Sequence, residues 1–341
     1  MEGQSIVRLA DLIRKKPAAP GGDLAGPSVA GPASARSQAP WASGPALEAG
    51  PARELADRAR TQVEASLAVL RSGGRLDLAP LAETAAAMVA SLEADDALMA
   101  HALDPRPTGS DLARHMINVA TFAIKIGMCV GFPREKLAAV GLAGLVHDVG
   151  VLSLPDRLAD KTEDLTPEEL QLLKQHPEAG ARLIRAAGPE YQWLATVLAQ
   201  EHEREDGSGY PKGLRGDDIH ELAKVVAIAD VYESLTHPRR YRRRVSPLEA
   251  VKEIITSERR AFADWVLKGL IRGLSTFPVG SLVRMNSKEI GRVRATNPAF
   301  PLRPVVEILG GASGEPLASP RVVDLAQNSL LYIVDSYTAE E

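Results

Sequence analysis

Apolar residues recur at helical spacing from about Arg53 to about residue 270. This period predicts helices over 54–70, 78–103, 111–130, 166–187, 190–203, 219–236 and 247–255. Pro133 stands at a first-turn position and opens a further helix running to His147. The pattern changes near Phe277. Short runs rich in β-branched residues follow at 281–284, 290–295, 305–309, 322–323 and 330–334, punctuated by Gly and Pro. The chain therefore reads as mainly α, with a small β-rich C-terminal domain and no internal repeat.

The first 52 residues differ in texture. Residues 1–16 place Ile6, Leu9, Ala10 and Ile13 at helical spacing before a basic Arg14-Lys15-Lys16. Two readings stand open: a short amphipathic helix for a partner or a membrane surface, and a weakly ordered tail. Residues 17–51 are dominated by Pro, Ala, Gly and Ser, which bury too little apolar surface to offset ordering entropy. The expected division is a disordered tail and linker over 1–52, a helical segment over 53–103, the main helical domain over 104–275 and the β-rich domain over 276–341.

Composition narrows the class. Aromatics are only 4% of the 341 residues, so the core is expected to be Leu, Val, Ile and Ala. A net charge of −4 argues against a binder of nucleic-acid polymers, which needs a positive face. The single cysteine, Cys129, allows no intramolecular disulfide and sits in an apolar run as a small core residue. No apolar run reaches the roughly 20 residues that span a bilayer, and no secretory pattern opens the chain. The expected compartment is the cytoplasm.

Several polar side chains interrupt this apolar pattern. His115 lies on the stripe Val119, Phe122, Ile126, with Asp111 one turn earlier; a hydrogen-bonded core histidine and a metal ligand are both open. His147-Asp148 ends an apolar helix, where burial is costly unless a partner compensates both groups. Neutral imidazole and carboxylate are both good ligands for first-row divalent metals. His176-Pro177 follows a helical run and reads either as a surface histidine at a helix break or as a ligand. Glu201-His202 leads into Asp206-Gly207-Ser208-Gly209-Tyr210-Pro211, a tight loop. Asp230 lies inside an apolar helix, where a core salt bridge competes with metal ligation. Together these residues could converge on the axis of a bundle, two metals bridged by one carboxylate. The run Arg239–Arg244 is either a solvated face or an anion site, since Arg binds phosphate bidentately.

The ordered series His115 with Asn118-Val119-Ala120, His147-Asp148-Val149-Gly150, His176-Pro177, His202-Glu203-Arg204, Asp206 to Pro211, Asp230-Val231-Tyr232 and Arg239 with Tyr241-Arg242 resembles the HD-GYP phosphodiesterases, a bacterial branch of the HD superfamily, over roughly residues 100–265. Phe277-Pro278-Val279-Gly280 and Pro301-Leu302-Arg303-Pro304 look like the small domain that follows some members. The resemblance implies an HD-type helical bundle with two, or with a third, divalent metal ions, often iron or manganese. It implies hydrolysis of the second messenger cyclic di-GMP to the linear dinucleotide or to GMP. His115, His147, Asp148, His176, His202 and Asp230 would be ligands, with Asp148 bridging and Asp111 available for a third metal. His147 and Asp148 would be the catalytic pair, and Tyr210, Arg239 and Arg242 would face the substrate. Two departures stand out. Val151 replaces a lysine that would contact substrate phosphate, and Glu201 replaces the first of two adjacent histidines; Glu201 can still bind metal and favours harder ions. These departures keep open an alternative: a non-catalytic module that binds cyclic di-GMP or a protein partner, the latter through the N-terminal tail or the C-terminal domain.

Overall fold

Pro51 begins the first helix, where a missing N–H costs nothing, and Leu55, Ala59, Val63 and Leu67 repeat every four residues to bury one face. This helix is α1 (Pro51–Arg71) in a computed structural model that describes residues 50–103, 111–155, 158, 166–237, 245–274, 277, 279–297, 299–300 and 302–336. The expectations for residues 1–49, for Asp111's side chain and for the run 239–244, with Arg239 and Arg242, lie outside what it describes.

The expected helix over 78–103 is two helices, α2 (Ala79–Ala94) and α3 (Ala97–Ala102). The break falls at Asp95, whose carboxylate accepts a hydrogen bond from the Ala97 N–H at 2.8 Å and so offers the backbone a cap in place of a continued helix. Next come α4 (Asp111–Cys129) and α5 (Arg134–Val146). Pro133 is the residue flanking α5, with extended backbone, rather than part of its first turn. After α5 the chain tightens through His147 and Asp148 into a 3₁₀ turn, Val149–Ser153.

The expected helix over 166–187 is also divided. α6 (Pro167–Leu173) starts from a capping box in which Thr166 and Glu169 each satisfy the other's backbone N–H, and α7 (His176–Ala187) starts afresh after Lys174-Gln175. α8 (Gln192–Gln200) stops before Glu201, so Glu201 and His202 sit in the turn beyond it and not on the helix expected over 190–203. α9 (Glu221–Thr236) is buried along nearly its whole length. α10 (Pro247–Ser257) has a second capping box, Ser246 with Glu249. α11 (Asp264–Gly273) closes the helical part.

α4 and α9 are the inner helices, and Phe122 meets Tyr232 edge to face between them at 5.1 Å. Apart from Phe262, the remaining buried core among the described residues is Leu, Val, Ile, Ala and Met, in keeping with the sparse aromatics. α4 and α5 approach closely at Gly144, where a Cβ would lie 2.5 Å from the Cα of Ala120. That approach sets the spacing between His115 and His147. The segment Arg134–Ser153 is long and apolar enough by composition to cross a membrane, a qualification to the sequence expectation; it is mostly buried inside the bundle, as a core helix is.

The C-terminal strands β1 (Leu282–Met285), β2 (Ile290–Ala295), β3 (Val305–Gly310), β4 (Pro316–Asp324) and β5 (Ile333–Ser336) form one antiparallel sheet in the order β4-β3-β2-β1-β5. Arg292 pairs with Leu282 on one side and Glu307 on the other, so Val293, Val306 and Val283 point to the opposite face and form a second, smaller core with Met285, Ile308 and Phe277. β4 is far longer than the 322–323 expected. It lies at the sheet edge, where Pro316 and Pro320 are tolerated although they interrupt the β-branched signal.

Candidate metal centre

Five stretches of chain bring six of the anticipated groups together. α4 carries His115, the end of α5 carries His147 and Asp148, the first residue of α7 is His176, the turn after α8 carries His202, and α9 carries Asp230. Glu201, the seventh, lies beside His202. All are buried. The surface-histidine reading of His176 is thereby overturned, because it is only 1% exposed.

The geometry divides into two clusters that share Asp148. In the first, His115 Nε2 lies 3.1 Å from His147 Nε2, 3.5 Å from Asp148 Oδ2 and 3.2 Å from Asp230 Oδ1. In the second, His176 Nε2 lies 3.5 Å from Asp148 Oδ1, 3.3 Å from Glu201 Oε1 and 3.0 Å from His202 Nε2. One oxygen of Asp148 faces each cluster. The candidate ligand atoms of His115, His147 and Asp148 all lie within 4.8 Å of one another, as do those of Asp148, His176, Glu201 and His202.

Hydrogen bonds on the far side of each ring assign the tautomers. His115 Nδ1 donates to Glu233 Oε2 at 2.7 Å, His147 Nδ1 to the Gly144 carbonyl at 2.9 Å, and His176 Nδ1 to the Leu173 carbonyl at 2.8 Å. In a neutral ring the other nitrogen, Nε2, then carries a lone pair. Two such lone pairs face each other in the first cluster at hydrogen-bond distance with no proton to share. Burial lowers the pKa of His147 and pushes that of His202 well down, so both favour the neutral form. In the second cluster neither buried oxygen of Glu201 has a hydrogen-bond donor. Burial, with the charges of Asp148 and Asp230, drives the Glu201 carboxyl well above its usual range. Burial also works against ionised Asp148 and Asp230; when a neighbouring imidazole takes up a proton, its charge outweighs burial and holds both carboxyls below their usual range. Converging lone pairs and buried carboxylates of this kind fit divalent cations and fit little else.

Other residues orient these groups. Glu233 sits one turn after Asp230, accepts from His115 and from Asn118 Nδ2 at 3.3 Å, and so fixes the first imidazole. Its role was missed in the sequence; the available signal was its i+3 spacing from Asp230. Glu203 accepts from the backbone N–H groups of Lys212 and Leu214 at 2.7 and 2.9 Å, clamping the loop that contains 206–211. That loop folds back so that Tyr210 N donates to the His202 carbonyl at 3.1 Å and the Tyr210 ring stacks on His202 at 4.9 Å. The 3₁₀ turn after Asp148 packs on α7 at Gly150, where a Cβ would lie 2.0 Å from the His176 carbonyl oxygen. Val151 is buried in the same turn and offers no cation.

A helical bundle with a paired His/Asp/Glu cluster around a shared carboxylate defines a class, helical bundles with a candidate dinuclear metal centre in the core. The family model for the HD domain matches residues 85–264, and one described as a KOW domain associated with the HD domain matches residues 282–341. Among curated proteins, the chain is 30% identical over 283 residues to a cyclic di-GMP phosphodiesterase of Pseudomonas aeruginosa, covering 80% of this chain and 66% of that one. It is 25% identical over 195 residues to a cyclic di-GMP phosphodiesterase of Borreliella burgdorferi, covering 57% and 51%. A solved structure described as an HDG"Y"P protein from Bdellovibrio bacteriovorus aligns over 64% of this chain and 70% of that one, at 21% identity and a TM-score of 0.49, too loose a likeness to weigh. The chain belongs to the HD domain family. It spans just under two thirds of the first curated relative and about half of the second.

Proposed function

We propose that this protein hydrolyses the phosphodiester bonds of cyclic di-GMP at a dinuclear metal centre. The observation that carries the reading is Asp148, whose two oxygens face two separate histidine clusters. His115, His147 and Asp230 would hold one ion, His176, Glu201 and His202 the other, and Asp148 both. When bound, such a pair of ions supplies a nucleophile at neutral pH and stabilises the charge that builds on attacking and leaving oxygens. The chain's own part is positioning. Glu233 fixes the His115 ring, the Gly144 and Leu173 carbonyls fix His147 and His176, and the clamped loop sets Tyr210 beside His202. The substrate class is supported by the names of the relatives. Glu201 keeps a donor atom at the position where the resemblance expects histidine, so the geometry does not favour the non-catalytic alternative. Iron and manganese are the ions we infer, with Arg239 and Arg242 on the substrate side.

The test is anaerobic reconstitution with iron or manganese, followed by chromatography of cyclic di-GMP incubated with the loaded protein. Linear dinucleotide or GMP should form, and Asp148→Asn should abolish both turnover and binding of two ions. A loaded native protein that leaves cyclic di-GMP intact refutes the assignment.

A further inference from the structure

Besides the metal ligands, a dinucleotide needs cations for its phosphates. The described residues around the centre contain four carboxylates, Asp148, Glu201, Asp230 and Glu233, which two divalent ions would do no more than offset, so further positive charge for an incoming phosphodiester has to come from side chains beyond the ligands. Val151 contributes only methyl groups from the turn after Asp148. Arg204 is committed, with Nη1 donating to the carbonyls of Glu201 and Glu203 and its guanidinium over Phe262.

Lys174 differs. It lies in the two-residue break between α6 and α7, two positions before His176, and that break holds it at the rim. Its Nζ stands over the ring of Tyr210, 5.3 Å from the centroid, and the same ring stacks on His202. Among the described residues it pairs with no carboxylate, and the side chain is only partly buried. An ammonium over a tyrosine at an accessible site is held weakly, by about 0.5–1 kcal/mol. A charge-assisted hydrogen bond to phosphate is stronger. The ring therefore parks the ammonium next to the centre without neutralising it, and leaves it free to transfer to an arriving anion.

We propose that Lys174 binds a phosphate of the substrate at the rim of the metal centre, supplying the cation that the turn carrying Val151 does not. This rests on the reading of the centre as a phosphodiesterase site. The experiment compares metal-loaded native protein, Lys174→Met and Lys174→Arg on two probes, cyclic di-GMP and the generic diester bis(4-nitrophenyl) phosphate. Metal content and melting temperature are measured on each protein. Lys174→Met should keep the native metal content and lose about 10- to 100-fold in kcat/KM on both probes, chiefly through KM. Its KM should depend less steeply on salt, since one phosphate contact is gone. Lys174→Arg, which keeps the charge, should recover most of the loss. Native-like KM and salt dependence in Lys174→Met overturns the proposal, as does loss confined to kcat or accompanied by loss of metal, which marks a structural role. Turnover of the generic diester with the expected Lys174 dependence, but none of cyclic di-GMP, sinks the substrate assignment and keeps this inference. Cyclic di-GMP turnover indifferent to Lys174 does the reverse.

Discussion

Glu201 shows how much one buried side chain can carry. Both its oxygens are sealed from water without a donor, beside two other carboxylates. Its pKa is raised on folding, so the stability it permits is present below the unfolded carboxyl value of about 4.5 and is lost as pH rises toward the folded value. Metal-free Glu201→Gln should therefore melt higher than the metal-free native chain at pH 8, and the gap should close as pH falls toward about 4.5. Added manganese should reverse the order, because only the native carboxylate gains a cation. Melting curves across pH, with and without the ion, measure both effects; a gap independent of pH contradicts the account. At this scale the sequence was informative where side-chain type and context disagreed. His147-Asp148 at the end of an apolar helix and Asp230 inside one both stood out. Glu233 did not, because its role depends on which ring it faces, and that is decided by the packing of α4 on α9.

Elements place those side chains, and the breaks between elements matter as much as the elements. Helix periodicity revealed the helices but ran two of them together at 166–187, since Lys174-Gln175 are good helix formers. The capping box at Thr166 was readable; the restart at His176 was set by the 3₁₀ turn that packs against it. Gly150 is the contact point. A methyl there would meet the His176 carbonyl and the Gly180 N–H, both main chain, so neither can swing aside. Gly150→Ala is expected to cost at least about 3 kcal/mol, as overpacking against rigid backbone does, and to separate Asp148 from His176. Denaturant unfolding gives the first quantity, and the number of ions retained after dialysis gives the second. A variant with native stability and two bound ions would show that the turn can relax. The β4 strand teaches the complementary lesson: Pro316 and Pro320 masked it, and only its edge position makes them admissible.

Across the whole molecule, the class of fold was legible because a helical period giving way to short β-branched runs separates two kinds of core. The centre's residues span 115 to 230, from α4 to α9, so bound ions would tie distant parts of the bundle together. Since the unfolded chain offers no such convergence, ions should stabilise the native state, by roughly 2.7 kcal/mol at a hundredfold excess over the dissociation constant. Calorimetry of metal-free protein titrated with manganese should show a rising melting temperature that a chelator reverses. An unchanged temperature would mean that the clusters bind nothing.

The two-faced position of Asp148 has a historical consequence. Its oxygens face different clusters, so if both clusters hold ions, a descendant that loses this carboxylate weakens both sites in one mutation. What remains is a set of buried imidazoles facing one another and carboxylates with nothing to neutralise them. Such a lineage would face immediate selection to refill the interior with apolar side chains. Retired copies of this scaffold should therefore be recognisable by wholesale replacement of the interior.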